Sequence, residues 1–284
     1  MAEPQMRRVR GDGVELQLAV WPGTDKTILC LHGLTANCRW WDTLAAVLAP
    51  PYRVLAMDLR GRGLSQKPAT GYSLAQHCQD VQALLDHLGL ERVVLMGHSL
   101  GAFIALRFAA CHADRVERLI LIDGGGKLSE AQTLKVLAGI KPTVDRLGRI
   151  FLSFPAYLEH LQQAPTLQPW LPGLDIPYRY EVEEVPGGVC SRVQAAHIHE
   201  EIANLAQEDA AAYYPRLRCP VLMLRATQGM LAADDLLLPE DVVQRMLRQI
   251  PRASSVDVPH CNHYTIVFKD LPVRDQALRA FIAV

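Results

Sequence analysis

Short unbroken apolar runs alternate along this chain with longer stretches whose apolar residues recur at three- and four-residue steps. The first kind reads as strands covered on both faces, the second as the helices that cover them. Strands are expected at residues 13–21, Thr27–Leu31, Arg53–Met57, 92–96, Val116–Ile122, 220–224 and 254–258. Helices are expected at 40–48, from an N-cap at Ser73 to 88 with Gly89 closing it, at Leu100–Cys111, and at 239–250 with proline in its first turn. A helical region follows the loop 259–263. This alternation predicts an α/β fold with a doubly wound, mostly parallel sheet, which binds ligands at the carboxyl ends of its strands.

From about residue 127 to 215 no strand-like apolar run occurs. Val144, Leu147, Phe151, Phe154 and Leu158 mark a helix that Pro155 kinks or ends, and a second helical piece covers 191–207. Between them lies a stretch rich in proline and aromatic residues, including Trp170, Tyr178 and Tyr180. The organisation expected is a core of residues 1–126 and 216–284, with 127–215 inserted between strands six and seven as a helical lid. The lid aromatics are divided between the lid's own core and a substrate pocket.

Half of the 284 residues are hydrophobic, enough for one sizeable core, and the formal net charge is −1 without long charged runs. Neither a nucleic-acid surface nor a polyanionic partner is indicated. No window approaches the roughly 18 apolar residues of a membrane helix, so no membrane partner is expected and the reading is a soluble, cytoplasmic protein. It takes a small-molecule partner and exists as a monomer or small homo-oligomer. The seven cysteines, at 30, 38, 78, 111, 190, 219 and 261, form no Cys-x-x-Cys pair and suggest neither zinc nor a disulfide framework.

Candidate chemistry centres on Gly97-His98-Ser99-Leu100-Gly101, set between the apolar run 93–96 and the all-round apolar stretch from Leu100. A serine on such a strand-to-helix corner is pushed out over the end of the sheet, and the turn leaves no room for side chains two residues to either side. Ser99 is therefore the candidate nucleophile. A serine hydroxyl needs a base and oxyanion donors. His263 lies in the loop after the last strand and suits the base role, with His260 as its rival. The backbone amides of Leu34, after the strand-end pair His32-Gly33, and of Leu100 are the candidate oxyanion hole; the His32 side chain is read as a loop brace. The acid is Asp123, which ends the strand after the elbow helix, or alternatively Asp234 or Asp235. The charged loop Asp58-Leu59-Arg60-Gly61-Arg62-Gly63-Leu64-Ser65 is read as held by a structural ion pair. His197 and His199 have no local metal-ligand companions, and Asp257 is read as a strand residue.

His32-Gly33, the 58–65 loop, Gly97-His98-Ser99-Leu100-Gly101 and Asn262-His263 together resemble landmarks of the α/β-hydrolase superfamily. Many of its members carry the acid after the strand corresponding to 220–224, but here that loop reads Arg225-Ala226-Thr227-Gln228-Gly229. A subset, including carboxylesterases and 2-(acetamidomethylene)succinate hydrolases, places it after the sixth strand, where Asp123 stands. Ser99 stands where epoxide hydrolases and haloalkane dehalogenases carry aspartate. The resemblance implies a serine carboxylesterase of small to medium acyl esters, with no metal or organic cofactor. The alternatives are an amide or carbon–carbon bond hydrolase acting on a carboxylate-bearing substrate, if Arg146, Arg149 or Arg179 faces the pocket, or a non-hydrolytic small-molecule receptor.

Overall fold

The computed structural model describes residues 3–284; residues 1 and 2 of the expected core segment lie outside the described residues. The first half of the chain runs β1 (Gln5–Arg10), β2 (Glu15–Trp21), β3 (Thr27–Leu31), α1 (Asp42–Leu48), β4 (Arg53–Met57), α2 (Leu74–His87), β5 (Val93–His98), α3 (Leu100–Cys111) and β6 (Val116–Ile122). There follow α4 (Glu130–Asp145), α5 (Phe154–Gln162), α6 (Asp175–Glu181), β7 (Val182–Val185), β8 (Gly188–Ser191) and α7 (Ala195–Leu205). The chain closes with β9 (Val221–Ala226), α8 (Glu240–Gln249), β10 (Ala253–Val258), α9 (Thr265–Phe268) and α10 (Pro272–Ala283).

Eight strands form one sheet in the order β1-β2-β4-β3-β5-β6-β9-β10. The pairings β1 with β2 and β2 with β4 are antiparallel; the others are parallel. The central strands β3, β4, β5, β6 and β9 are largely apolar because both faces are covered. Leu29, Leu31, Leu95, Leu119, Leu121 and Met223 pack on one side with α2, α3 and α8, while Ile28, Cys30, Val94, Met96, Ile120 and Leu224 pack on the other with α1, α9 and α10. Alternate residues of one run thus serve two separate cores. Strand β1, absent from the pattern above, is an edge strand in which only Val9 is buried, so it carries no hydrophobic signature.

Between β6 and β9 the chain leaves this sheet. The single helix expected around Pro155 is two: α4 ends at Asp145, Gly148 takes φ +78°, and Ser153 caps α5 with Pro155 in its first turn. Proline begins this helix because a first-turn residue has no intrahelical N–H bond to lose. The short β7–β8 hairpin was also not expected, and it delays the next helix to Ala195. Trp170 and Tyr178 pack with Trp40, Phe154 and Tyr157 in a separate aromatic core, and Tyr180 turns to Asp58; none of the three reaches the cavity described below. Among the described residues, no helix is long and apolar enough to cross a membrane.

Candidate active site

The elbow at Ser99 exists because backbone meets backbone around it. A Cβ at Gly97 would lie 2.1 Å from the carbonyl oxygen of Gly101, and one at Gly101 would lie 2.0 Å from that of Leu31. Only glycine fits either place. Ser99 itself takes φ 55° and ψ −121°, a conformation that costs about 1–3 kcal/mol and persists because the strand and helix on either side over-determine it.

The Ser99 hydroxyl lies 3.0 Å from His263 Nε2 and can donate its proton there, and His263 Nδ1–H donates to Asp123 Oδ2 at 2.8 Å. Asp123 Oδ1 accepts from the Ala226 amide at 3.1 Å, so both carboxylate oxygens are engaged. Asp123 is buried and has φ 44°, which turns its side chain off the end of β6. Because β6 lies beside β5, this turn sets its carboxylate near His263, the histidine that faces Ser99. His263 is placed by its neighbour: Asn262 Oδ1 accepts from the Tyr264 and Thr265 amides, and its Nδ2 donates to the Thr166 carbonyl.

The competing candidates lie elsewhere. His260 is exposed, and its carbonyl accepts from Lys269. Asp234 pairs with Lys135 at the surface. Asp235 is buried but accepts from the amides of Met230, Leu231 and Ala232, closing its own turn. Asp257 lies in β10 and pairs with Arg225. His32 Nδ1–H donates to the Gly33 carbonyl while Nε2 accepts from the Leu59 amide, which braces the loop; burial pushes its pKa down to about 3. The 58–65 loop is tied by more than one charge: Arg60 pairs with Asp80, Arg62 pairs with Glu201, and Asp58 accepts from the Cys38 and Leu64 amides and the Tyr180 hydroxyl.

His98 does more than its position beside Ser99 suggests. Its ring stacks on His263 with centroids 4.6 Å apart, and Nε2–H donates to the His263 carbonyl at 2.8 Å. Burial, and then the nearby His263 charge, hold His98 well below the usual histidine range, so it stays neutral and supports His263 as a donor.

Ser99 and His263 open on a cavity of about 470 Å³, whose wall also includes Leu34 and Leu100. Trp40, Phe103, Leu137, Ile202 and Leu205 make the rest of the wall largely apolar. Arg146, Arg149 and Arg179 do not line it: Arg146 is buried against Glu181, while Arg149 and Arg179 lie over Phe151 and Phe154. The aromatic insertion folds on itself and draws these arginines with it. Among the described residues no three His, Cys, Asp or Glu side chains come together as metal ligands.

A family described as the alpha/beta hydrolase fold matches residues 26–147. An uncharacterized protein of Mycobacterium tuberculosis is 36% identical over 161 residues, 51% of this chain and 46% of that protein, so the match spans about half the length of this relative. The 3-hydroxybutyrate-oligomer hydrolase of Cupriavidus necator is 28% identical over 265 residues, covering 85% of this chain and 84% of that one. The crystal structure of E-2-(acetamidomethylene)succinate hydrolase is similar with a TM-score of 0.86 at 25% identity, covering 99% of this chain and 100% of that one.

Proposed function

We propose, from the premise that this chain belongs to the α/β-hydrolase superfamily, that it is a serine hydrolase cleaving small to medium acyl esters through an acyl-enzyme. The observation that carries this reading is the unbroken relay Ser99–His263–Asp123 at the head of an apolar cavity. Ser99 Oγ attacks the ester carbonyl carbon while His263 Nε2 takes its proton, and the carbonyl becomes an oxyanion. The amides of Leu34 and Leu100 bind that oxyanion; Leu100 is the first residue of α3, so its N–H has no partner within the helix. Collapse expels the alkoxide, which leaves with the proton from His263. Water then repeats the sequence and releases the acid. Asp123 keeps Nδ1 protonated, so Nε2 remains the basic nitrogen, and it stabilises the imidazolium that forms.

The apolar wall selects the substrate class. A CH₂ group moved from water into such a wall stabilises binding by about 0.8 kcal/mol. A carboxylate placed there meets no unpaired arginine: Arg146 is committed to Glu181. That favours an uncharged acyl group over a dicarboxylate of the kind named in 2-(acetamidomethylene)succinate hydrolase.

Steady-state hydrolysis of p-nitrophenyl esters of increasing acyl length tests the reading. Wild-type protein turns them over, Ser99→Ala abolishes turnover, and Asp123→Asn lowers kcat by about 10⁴-fold because the amide cannot hold the required tautomer. Turnover that persists in Ser99→Ala overturns the proposal.

A further inference from the structure

Helix α7 carries two stripes that serve different ends. Ile198, Ile202 and Leu205 are apolar; Ile198 packs with Leu147 and Val193, and the other two line the cavity. His197, Glu200, Glu201 and Asn204 fall at i, i+3, i+4 and i+7, and so share one face. This polar face is docked on the loop that follows β4. His197 stacks on Tyr72 at 4.3 Å, Glu200 accepts from the Gly71 and Tyr72 amides at 2.9 and 3.0 Å, and Asn204 donates to the Tyr72 carbonyl at 2.7 Å.

Glu201 reaches further than the others. Its Oε1 lies 2.8 Å from His77 Nε2 of α2, and its Oε2 accepts from Arg62 Nη2 at 2.5 Å; all three side chains are fully buried. The remaining donors of Arg62 are aimed at two backbone carbonyls, Nη1 at that of Arg60 and Nε at that of Leu34, each 3.0 Å away. One planar guanidinium thus connects a carboxylate of the inserted segment to the loop beside Ser99. Burial alone would raise the Glu201 carboxyl, but the neighbouring His77 and Arg62 hold it down to about 2, so it stays ionised and keeps its grip on the guanidinium.

We infer that Glu201 is a positioning residue for the oxyanion site: it holds Arg62 against the Leu34 carbonyl, so the loop that presents the Leu34 amide is set only when α7 is docked. This rests on the serine-hydrolase reading. It assigns Glu201 no contact with substrate; its effect passes through Arg62. The inserted segment is then a structural part of the oxyanion site as well as a cover for it.

Replacing the pair together, Arg62→Met with Glu201→Leu, removes the tie to Leu34 and both charges of the Arg62–Glu201 pair, at the cost of the His77 Nε2 partner; folds commonly tolerate such an exchange of a buried ion pair for apolar side chains. The measurements are kcat and KM with p-nitrophenyl butyrate, and the Ki of butylboronic acid. The boronic acid forms a boron–oxygen bond to Ser99 Oγ, whose proton passes to His263, and so mimics the tetrahedral state. The expected result is kcat lower by about 10- to 100-fold with KM within about twofold, and a boronate Ki raised by the same factor as kcat/KM falls. Glu200→Gln, whose amide oxygen still accepts from the Gly71 and Tyr72 amides while a charge on the same face is removed, leaves α7 docked on Arg62 and kcat unchanged. A folded double variant with wild-type kcat and Ki overturns the inference. If the double variant does not fold, Arg62→Lys decides, since an ammonium keeps the charge pair but lacks the fork that also reaches Leu34: the same kcat loss supports the positioning role, and full kcat overturns it. A wild-type protein that neither hydrolyses the ester nor binds the boronate overturns the serine-hydrolase reading, and this inference with it.

Discussion

Helices α4 and α7 wall the same cavity, yet they are held by opposite means. Helix α7 is short but locked by buried groups: Glu201 to Arg62 and His77, Ile198 to its small apolar cluster. Helix α4 is 16 residues long, and only Gly139 and Thr143 are buried in it. It is tied to the loop before α8 by Gln132, which donates to the Asp234 and Leu236 carbonyls, and by the exposed pair Lys135–Asp234. Exposed pairs of that kind contribute about 0–1 kcal/mol, whereas breaking a buried one costs about 3–5 kcal/mol. One wall is therefore part of the folded core and the other is a cover over an apolar space. Local opening is expected in α4 long before α7, because little buried surface is lost when it lifts.

The sharpest way to break this comparison is through stability. Ile198→Ala in α7 removes a fully buried side chain and is expected to lower unfolding free energy by about 2–5 kcal/mol, read by urea denaturation. A loss below 1 kcal/mol would place α7 with α4 as a loose cover.

Acid should loosen the same helix next. The folded pKa of Glu201, about 2, lies below its ordinary 4.5, so its stabilisation is fully present above pH 4.5 and is lost as pH falls from there toward 2. The shift corresponds to about 3 kcal/mol. The Tm of wild-type protein should therefore drop more steeply between pH 5 and 3 than that of the Arg62→Met, Glu201→Leu variant. Parallel slopes would show that the carboxylate is not what acid attacks.

Helix α4 should yield the smallest effect, and one on binding alone. Leu134 lines the cavity and is 62% exposed. Leu134→Asp is expected to raise KM for the longest esters by about threefold, leaving acetyl esters unaffected and stability within about 0.5 kcal/mol. A large stability loss would mean that α4 is seated as firmly as α7.

Legibility in the sequence follows the range of the interaction. The Ser99 corner could be read because its strand, turn and helix are contiguous, and the parallel strands because each is a short run apolar on both faces. Strand β1 could not: an edge strand with one buried residue has no period. Pro155 misled for a similar reason, since a proline that ends one helix and a proline that begins another look alike until the N-cap at Ser153 is seen. The stacking of His98 on His263 left no local signal, because 165 positions separate the two. The helical piece at 191–207 could be read from its own residues, but nothing in it named Arg62 as the partner of Glu201.

The sequence by itself determined the alternation of strands and helices, the glycines that a tight elbow requires, and the residue types a nucleophile and a base need. It left three aspartates after strands or loops as possible partners for His263. Only the tertiary structure chose among them. The order of strands in the sheet sets β6 beside β5 and brings Asp123 within 2.8 Å of His263, while Asp235 is consumed by the amides of its own turn. The same holds for Arg146, Arg149 and Arg179: the sequence left open whether any of them faces the pocket, and folding turns all three away from it. Which buried charges find each other depends on packing between segments far apart in the chain, and a pattern of neighbours does not encode it.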